Sequence, residues 1–203
     1  MPNAIQYAQQ SITPSKIICI GRNFVDHIEE LGNEVPDDMV VFCKPNSAIG
    51  QTLKSFDQEP LHYEGELCFL YQQGQFVAVA FGLDLTKRDL QGKLKQKGLP
   101  WERAKAFDGA ALFSTFVPFD NIDELALTLT IDDRISQQAA VPLMIYKPAQ
   151  ILANLQQFIS LSDGDIVMTG TPKGVGAVQS GSRYQGSVSD GKSVLVSATW
   201  QAL

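Results

Sequence analysis

A chain of 203 residues with 44% hydrophobic and 19% charged residues can bury a substantial core, and it reads as one globular domain. Its formal net charge of −6, with no basic run, excludes a nucleic-acid-binding surface, which needs clustered positive charge. Acidity does not exclude anionic substrates, because a bound divalent cation inverts the local field.

In chain order, the β-branched run 17–20 predicts a strand closed by Gly21. Residues 23–31 fit a short helix with Asn23 as its N-cap. A strand over 39–43 ends at Lys44-Pro45, and strands over 67–71 and 76–83 flank a tight turn over 72–75. The polar run 90–97 predicts a helix stopped by Gly98-Leu99-Pro100, and 125–131 a further strand. Residues 148–159 predict the best helix of the chain, with Pro148 at its start and Ile151, Leu152, Leu155, Phe158 and Ile159 at helical spacing. Strands over 165–169 and 194–199 follow, with loops over 32–38 and over the Ser- and Gly-rich 179–191. Many short strands and few helices predict a β-rich α+β domain, not a doubly wound sheet.

Cys19, Cys43 and Cys68 have neither disulfide nor zinc-site spacing and read as reduced thiols. The N-terminal run has no signal-peptide pattern, and no stretch approaches the roughly 18 apolar residues of a membrane span. The expected location is the cytoplasm, with no membrane partner.

The run Leu61-His62-Tyr63-Glu64-Gly65-Glu66-Leu67 carries the strongest chemical signal. Side chains alternate faces along a strand, so Glu64 and Glu66 project to one side at the entrance to an apolar run. Two like charges there repel unless a cation lies between them, and carboxylate oxygens suit Mg²⁺ or Mn²⁺. The alternative is a solvent-facing strand edge with two ordinary glutamates. His62 is expected on the same side. Asp84 closes the later strand and becomes a third oxygen ligand if the two strands are neighbours. Arg88 and Gln91 fall on one face of the turn after it, and Lys105, between Ala104 and Ala106, is either a snorkelling or a functional lysine.

His27 and Glu30 lie three residues apart, so on a helix a carboxylate would sit beside an imidazole, as a general base requires; a solvated helix face is the bland alternative. The run Met168-Thr169-Gly170-Thr171-Pro172-Lys173-Gly174-Val175-Gly176 is a strand entering a tight loop that could meet an anion or be simply structural. It lacks the lysine ending of a nucleotide-binding loop.

Gly21-Arg22-Asn23-Phe24, Asp26-His27 with Glu30, Phe42-Cys43-Lys44-Pro45, the Glu64-Gly65-Glu66 block, Asp84-Leu85-Thr86-Lys87-Arg88-Asp89-Leu90-Gln91, Pro100-Trp101 with Lys105, and the 164–176 block resemble, in this order, the fumarylacetoacetate hydrolase family. Its small acylpyruvase and oxaloacetate decarboxylase or tautomerase members are the nearest in pattern. The resemblance implies a mixed β-roll, a homodimer, and Mg²⁺ or Mn²⁺ held by Glu64, Glu66 and Asp84. It implies a water-activating dyad of His27 and Glu30, an oxyanion-stabilising Lys105 and a substrate- or water-placing Gln91. Arg22, Lys44, Arg88 and Thr171 would contact a substrate carboxylate. Two departures stand out: the short connection 67–83, and the segment 137–144, which lacks the usual Gln-x-Gly-x-Thr-like pattern.

The implied activity is metal-dependent hydrolysis of a C–C bond in an acylpyruvate-type β-diketo acid, through an enolate held by the metal. Decarboxylation or tautomerisation of oxaloacetate, or isomerisation of a 2-oxo-3-enoate, is the alternative on the same site. A catalytically silent metal-binding protein is the remoter one.

Overall fold

The computed structural model describes residues 2–30, 32 and 36–203. A six-stranded mixed sheet runs in the order Ala111–Phe113, Gln75–Asp84, Gly65–Gln72, Ile166–Met168, Lys16–Gly21, Val40–Pro45. Its one parallel pair joins Ile166–Met168 to Lys16–Gly21; all the others are antiparallel. A four-stranded antiparallel sheet packs against it, in the order Arg134–Ala140, Ala126–Ile131, Arg183–Ser189, Val194–Gln201. The expected β-rich α+β class and mixed β-roll are what is found.

The central strands are buried on both faces, which is why they read as continuous apolar runs instead of alternating ones. Leu67 and Phe69 enter the core between the two sheets, against Leu127, Leu129 and Tyr184. Cys68 and Leu70 point the other way, beside Cys19, Ala80 and Met168. Ile18, Ile20 and Val167 form a third layer with Ile151 and Leu155 of the helix Pro148–Leu155. That helix stops before 159, and Phe158 is left exposed.

Two other expectations need correction. Residues 179–191 are not one loop: Arg183–Ser189 is an interior strand of the second sheet, with Tyr184, Gly186 and Val188 buried. Gly186 is needed because a Cβ there would lie 2.1 Å from the Phe81 ring, which fills the gap between the sheets. Asn23 does not cap the helix, which spans Val25–Glu30. Its side chain instead donates to the carbonyls of Tyr146 (3.0 Å) and Thr169 (2.8 Å) and accepts from Tyr146 N. The expected helix end at Leu31, and residues 33–35 of the expected loop, lie outside the described residues.

The polar helix spans Arg88–Gln96, close to expectation. The turn after Gly65–Gln72 has positive φ at both Gln73 and Gly74, the two-residue hairpin geometry that matches strand twist. The three cysteines are free thiols, and no helix among the described residues is long and apolar enough to cross a membrane.

One buried carboxylate ties the sheet's parallel pair together. Asp165 accepts hydrogen bonds from Ser15 N (3.2 Å), Ser15 Oγ (2.6 Å), Lys16 N (3.2 Å), Ser162 N (2.8 Å) and Lys16 Nζ (2.5 Å). Burial alone would raise its pKa, but the bonds from Lys16, Ser15 and Ser162 outweigh it and hold Asp165 below the ordinary carboxylate range. Its contribution is therefore full above the unfolded value and is lost as pH falls through the depressed one. Asp165→Ala should cost about 3–5 kcal/mol near neutrality, read from the urea midpoint. The gap from wild type should narrow below about pH 4. A gap that stays constant in acid would show that the charge contributes nothing.

Candidate active site

The hairpin register brings the acidic residues together. Gln72 opposes Gln75 and Tyr71 opposes Phe76, but a bulge then shifts the pairing by one, so Leu70 opposes Ala78 and Gly65 opposes Leu83. Asp84 N consequently donates to Glu64 O (2.8 Å), and Glu66 faces Gly82. Without the bulge Asp84 would project to the opposite face. With it, Glu64, Glu66 and Asp84 each offer one oxygen within 4.8 Å of the others, and all three are buried.

Cations surround this cluster. Lys105 Nζ donates to Glu64 Oε2 (2.7 Å), Asp84 Oδ2 (2.8 Å) and Thr86 Oγ1 (2.6 Å). Arg88 pairs with Glu64 Oε1 through one guanidinium nitrogen and with Gln91 Oε1 (2.9 Å) through another, so the expected shared face exists. Burial alone would depress Lys105, but Asp84 and Glu64 outweigh it and hold its pKa above the ordinary value. Burial would likewise raise Glu64, yet Lys105 and Arg88 hold it well below the usual carboxylate range. Glu66 goes the other way: burial, then the like charges of Asp84 and Glu64, push it well up, against Lys105 and a 2.7 Å hydrogen bond from Gly170 N.

Lys44 departs from its expected role. It is fully buried and does not line the cavity; Nζ lies 2.8 Å from Asp84 Oδ1 and donates to the Lys105 carbonyl. It therefore backs the carboxylates instead of meeting a substrate. Three buried carboxylates whose oxygens lie within 4.8 Å of one another, all hard donors, fit a divalent cation such as Mg²⁺ or Mn²⁺.

His27 forms one wall of the cavity above these residues, and Thr171 another. His27 Nδ1 lies 3.2 Å from Glu30 Oε2, so the expected pairing on one helical face is present. Glu30 Oε1 in turn accepts from Gly174 N (2.9 Å), where φ is +97° and a Cβ would lie 2.1 Å from Ser136 O. Lys173 Nζ pairs with Asp26 at 2.8 Å, a second tie between the short helix and the 171–176 loop. Arg22, at positive φ, also lines the cavity. His62, expected on the side of the carboxylates, does not line the cavity.

Sequence reasoning missed Gln137. It is buried; its Oε1 accepts from Gly65 N (2.8 Å), while Nε2 donates to Thr171 Oγ1 and Pro172 O (2.8 Å each). Gln137 thus fixes the glutamate turn against the Thr171 loop. The only signal was its place in the segment that departs from the usual pattern. Thr86 and Trp101, quoted in the motifs, were given no role: the first bonds Lys105, and the second packs at a tilt against Phe42 at the cavity wall.

A family model described as "Fumarylacetoacetate (FAA) hydrolase C-terminal" matches residues 16–200. The chain is 36% identical to the oxaloacetate tautomerase YcgM of Escherichia coli (strain K12), over 82% of this chain and 85% of that one. Among solved structures, a candidate fumarylacetoacetate isomerase/hydrolase from Oleispira antarctica superposes with a TM-score of 0.93, at 30% identity over 100% of both chains. Fumarylpyruvate hydrolase from Pseudomonas aeruginosa, in complex with Mn²⁺ and pyruvate, gives a TM-score of 0.89 at 29% identity, covering 100% of this chain and 96% of that one.

Glu66→Gln keeps the shape of the site but removes the charge that a cation would neutralise. Isothermal titration with Mn²⁺ should find binding to the wild type and a loss of roughly 100-fold or more in the variant, as expected when a ligand itself is removed. Unchanged Mn²⁺ affinity would remove Glu66 from the ligand set.

Proposed function

The chain belongs to the fumarylacetoacetate hydrolase family, and from that premise we propose that it interconverts the keto and enol forms of a small 2-oxo acid of the oxaloacetate type. The observation that carries the reading is the convergence of Glu64, Glu66 and Asp84 on the floor of a cavity walled by His27 and by cationic side chains. The name of the Escherichia coli relative supports the substrate class.

Glu64, Glu66 and Asp84 would hold a divalent ion, which supplies a Lewis acid that polarises the 2-oxo carbonyl and acidifies the adjacent C3–H. With Nδ1 engaged by Glu30, His27 has Nε2 left to accept a proton from C3, and the imidazolium so formed is stabilised by the carboxylate. Returning a proton to the 2-oxygen completes the enol, and the reverse sequence restores the ketone. The Lys105 ammonium, fixed by three oxygens, adds positive charge where the carbonyl oxygen gains electron density. Arg88, steadied by Gln91, is placed to bind the 1-carboxylate.

Hydrolysis of an acylpyruvate is the second reading. The His27–Glu30 pair favours it, because the same imidazole can take a proton from water instead of from carbon. The fumarylpyruvate hydrolase relative has that kind of substrate in its name.

Steady-state assays with oxaloacetate and with acetylpyruvate, each with Mg²⁺ or Mn²⁺ and with EDTA, separate the two. Tautomerisation of oxaloacetate should be EDTA-sensitive and faster than any cleavage of acetylpyruvate. Efficient cleavage with no effect on oxaloacetate would replace the first reading by the second. In either case His27→Ala should lower kcat by roughly 10²–10⁴-fold with Mn²⁺ affinity unchanged. An unaltered kcat would show that His27 is not the base.

A further inference from the structure

Lys87 is a buried cation that the reaction outlined above does not use. It is 4% exposed, and it lines no part of the cavity over the carboxylates. A surface lysine keeps its head in water; this one is drawn inside by specific partners. Its Nζ lies 2.8 Å from Asp57 Oδ2, 3.4 Å from Gln58 Oε1 and 4.7 Å from the centroid of the Phe107 ring. Side chains alternate on the two-residue strand Thr86–Lys87, so Thr86 meets Lys105 while Lys87 turns to the other side. There Asp57 and Phe107 line a separate cavity.

These contacts act on the segment that carries Lys105. Thr86 Oγ1 accepts from Lys105 Nζ at 2.6 Å, and Lys87, the next residue, lies over the ring two positions beyond Lys105. Two adjacent side chains of one strand thus grip alternate residues of the 105–107 segment. The helix Glu102–Lys105 is a single turn, and 106–110 is neither helix nor strand, so internal stiffness does little to fix the Lys105 backbone.

The grip is anchored from outside by the 57–59 turn. Gln58, at φ +66°, reverses the chain so that Asp57 opposes Glu59. Asp57 pairs with Lys87, while Glu59 Oε1 accepts from Asp89 N (3.0 Å) and Leu90 N (3.2 Å) at the start of the helix Arg88–Gln96. One turn therefore holds both ends of the 87–90 segment.

We propose that Lys87 is a positioning residue for Lys105. Its contacts with Asp57 and Phe107 hold the 105–107 segment against Thr86, so that the Lys105 ammonium keeps its place at the carboxylates. The assignment rests on the part given to Lys105 in the reaction above. A charge that acts on the transition state is sensitive to placement, and a displacement of about 1 Å can cost roughly 100-fold in rate. Loosening the grip should therefore lower kcat and leave KM nearly unchanged.

The test compares Lys87→Met, which removes the charge at similar volume, with Asp57→Asn, which removes its partner at a partly exposed position. Both are measured as full-length protein with Mg²⁺, well below their melting temperatures. Each should lower kcat on oxaloacetate by roughly 10–100-fold with KM within about threefold, and the double variant should fall no further than either single one. Lys87→Arg can still meet Asp57 and the Phe107 ring, and should keep most of the rate. A second readout needs no turnover: in protein labelled with ¹³C at the lysine ε-carbons, the Lys105 resonance is the one that Lys105→Arg removes. It should move toward the solvated lysines in Lys87→Met and in Asp57→Asn. A Lys105 resonance unmoved in both variants overturns the assignment, and so does an unchanged kcat with a lowered melting temperature, which would make the pair purely structural. The reaction reading fails separately: if the wild type does not turn over oxaloacetate but the Lys105 resonance still depends on Lys87, the positioning stands without it.

Discussion

Three carboxylates with oxygens within 4.8 Å of one another, buried in a β-rich core, repel strongly, and the surrounding structure is organised around that repulsion. Lys105 answers it most directly, with one ammonium donating to two of the carboxylates and to Thr86. Lys44 stands behind Asp84, and Arg88 clamps Glu64 from the start of its helix. Each cation is itself held in place: Lys44 by the Lys105 carbonyl, Arg88 by Gln91. The carboxylates are thus fixed in position while one, Glu66, keeps a raised pKa that only more positive charge relieves. The arrangement of the three carboxylates could hold a divalent cation.

The backbone beneath supplies the precision. Between Tyr71 and Gly65 the pairing of the central hairpin changes by a single residue, and that slip decides whether Asp84 joins the glutamates or faces away. The short connection that departs from the family pattern therefore delivers the third carboxylate intact: its tight turn sets the pairing and the bulge corrects the face. Gln137 performs the corresponding service on the other side, bridging the glutamate turn and the Thr171 loop with one amide.

Much of this was legible in the sequence because it is local. The Glu64–Glu66 alternation needs only a strand, the His27–Glu30 offset only one helical turn, and the Arg88–Gln91 face only another. The central strands announced themselves as apolar runs. What escaped depends on distant partners. Nothing near Gln137 in the chain shows that its amide meets Gly65 and Thr171, and Lys44 could not be told from a substrate contact before Asp84 was placed beside it. The strand Arg183–Ser189 was hidden by its own composition: Gly186 reads as a loop residue, although it is glycine to admit Phe81 from the facing sheet. Asn23 has the chemistry of a helix cap but spends it on Tyr146 and Thr169.

Glu30 divides its two oxygens between the imidazole of His27 and the main-chain N–H of Gly174. One carboxylate is therefore both the latch of the short helix and the group that sets the imidazole's tautomer. Any displacement of the helix that breaks the Gly174 bond also frees the carboxylate to turn away from Nδ1, so the imidazole loses the contact that orients it. On the proposed reading, in which His27 is the base, proton abstraction would require the docked arrangement. That reading would place control over when the chemistry can occur in a single bifunctional side chain.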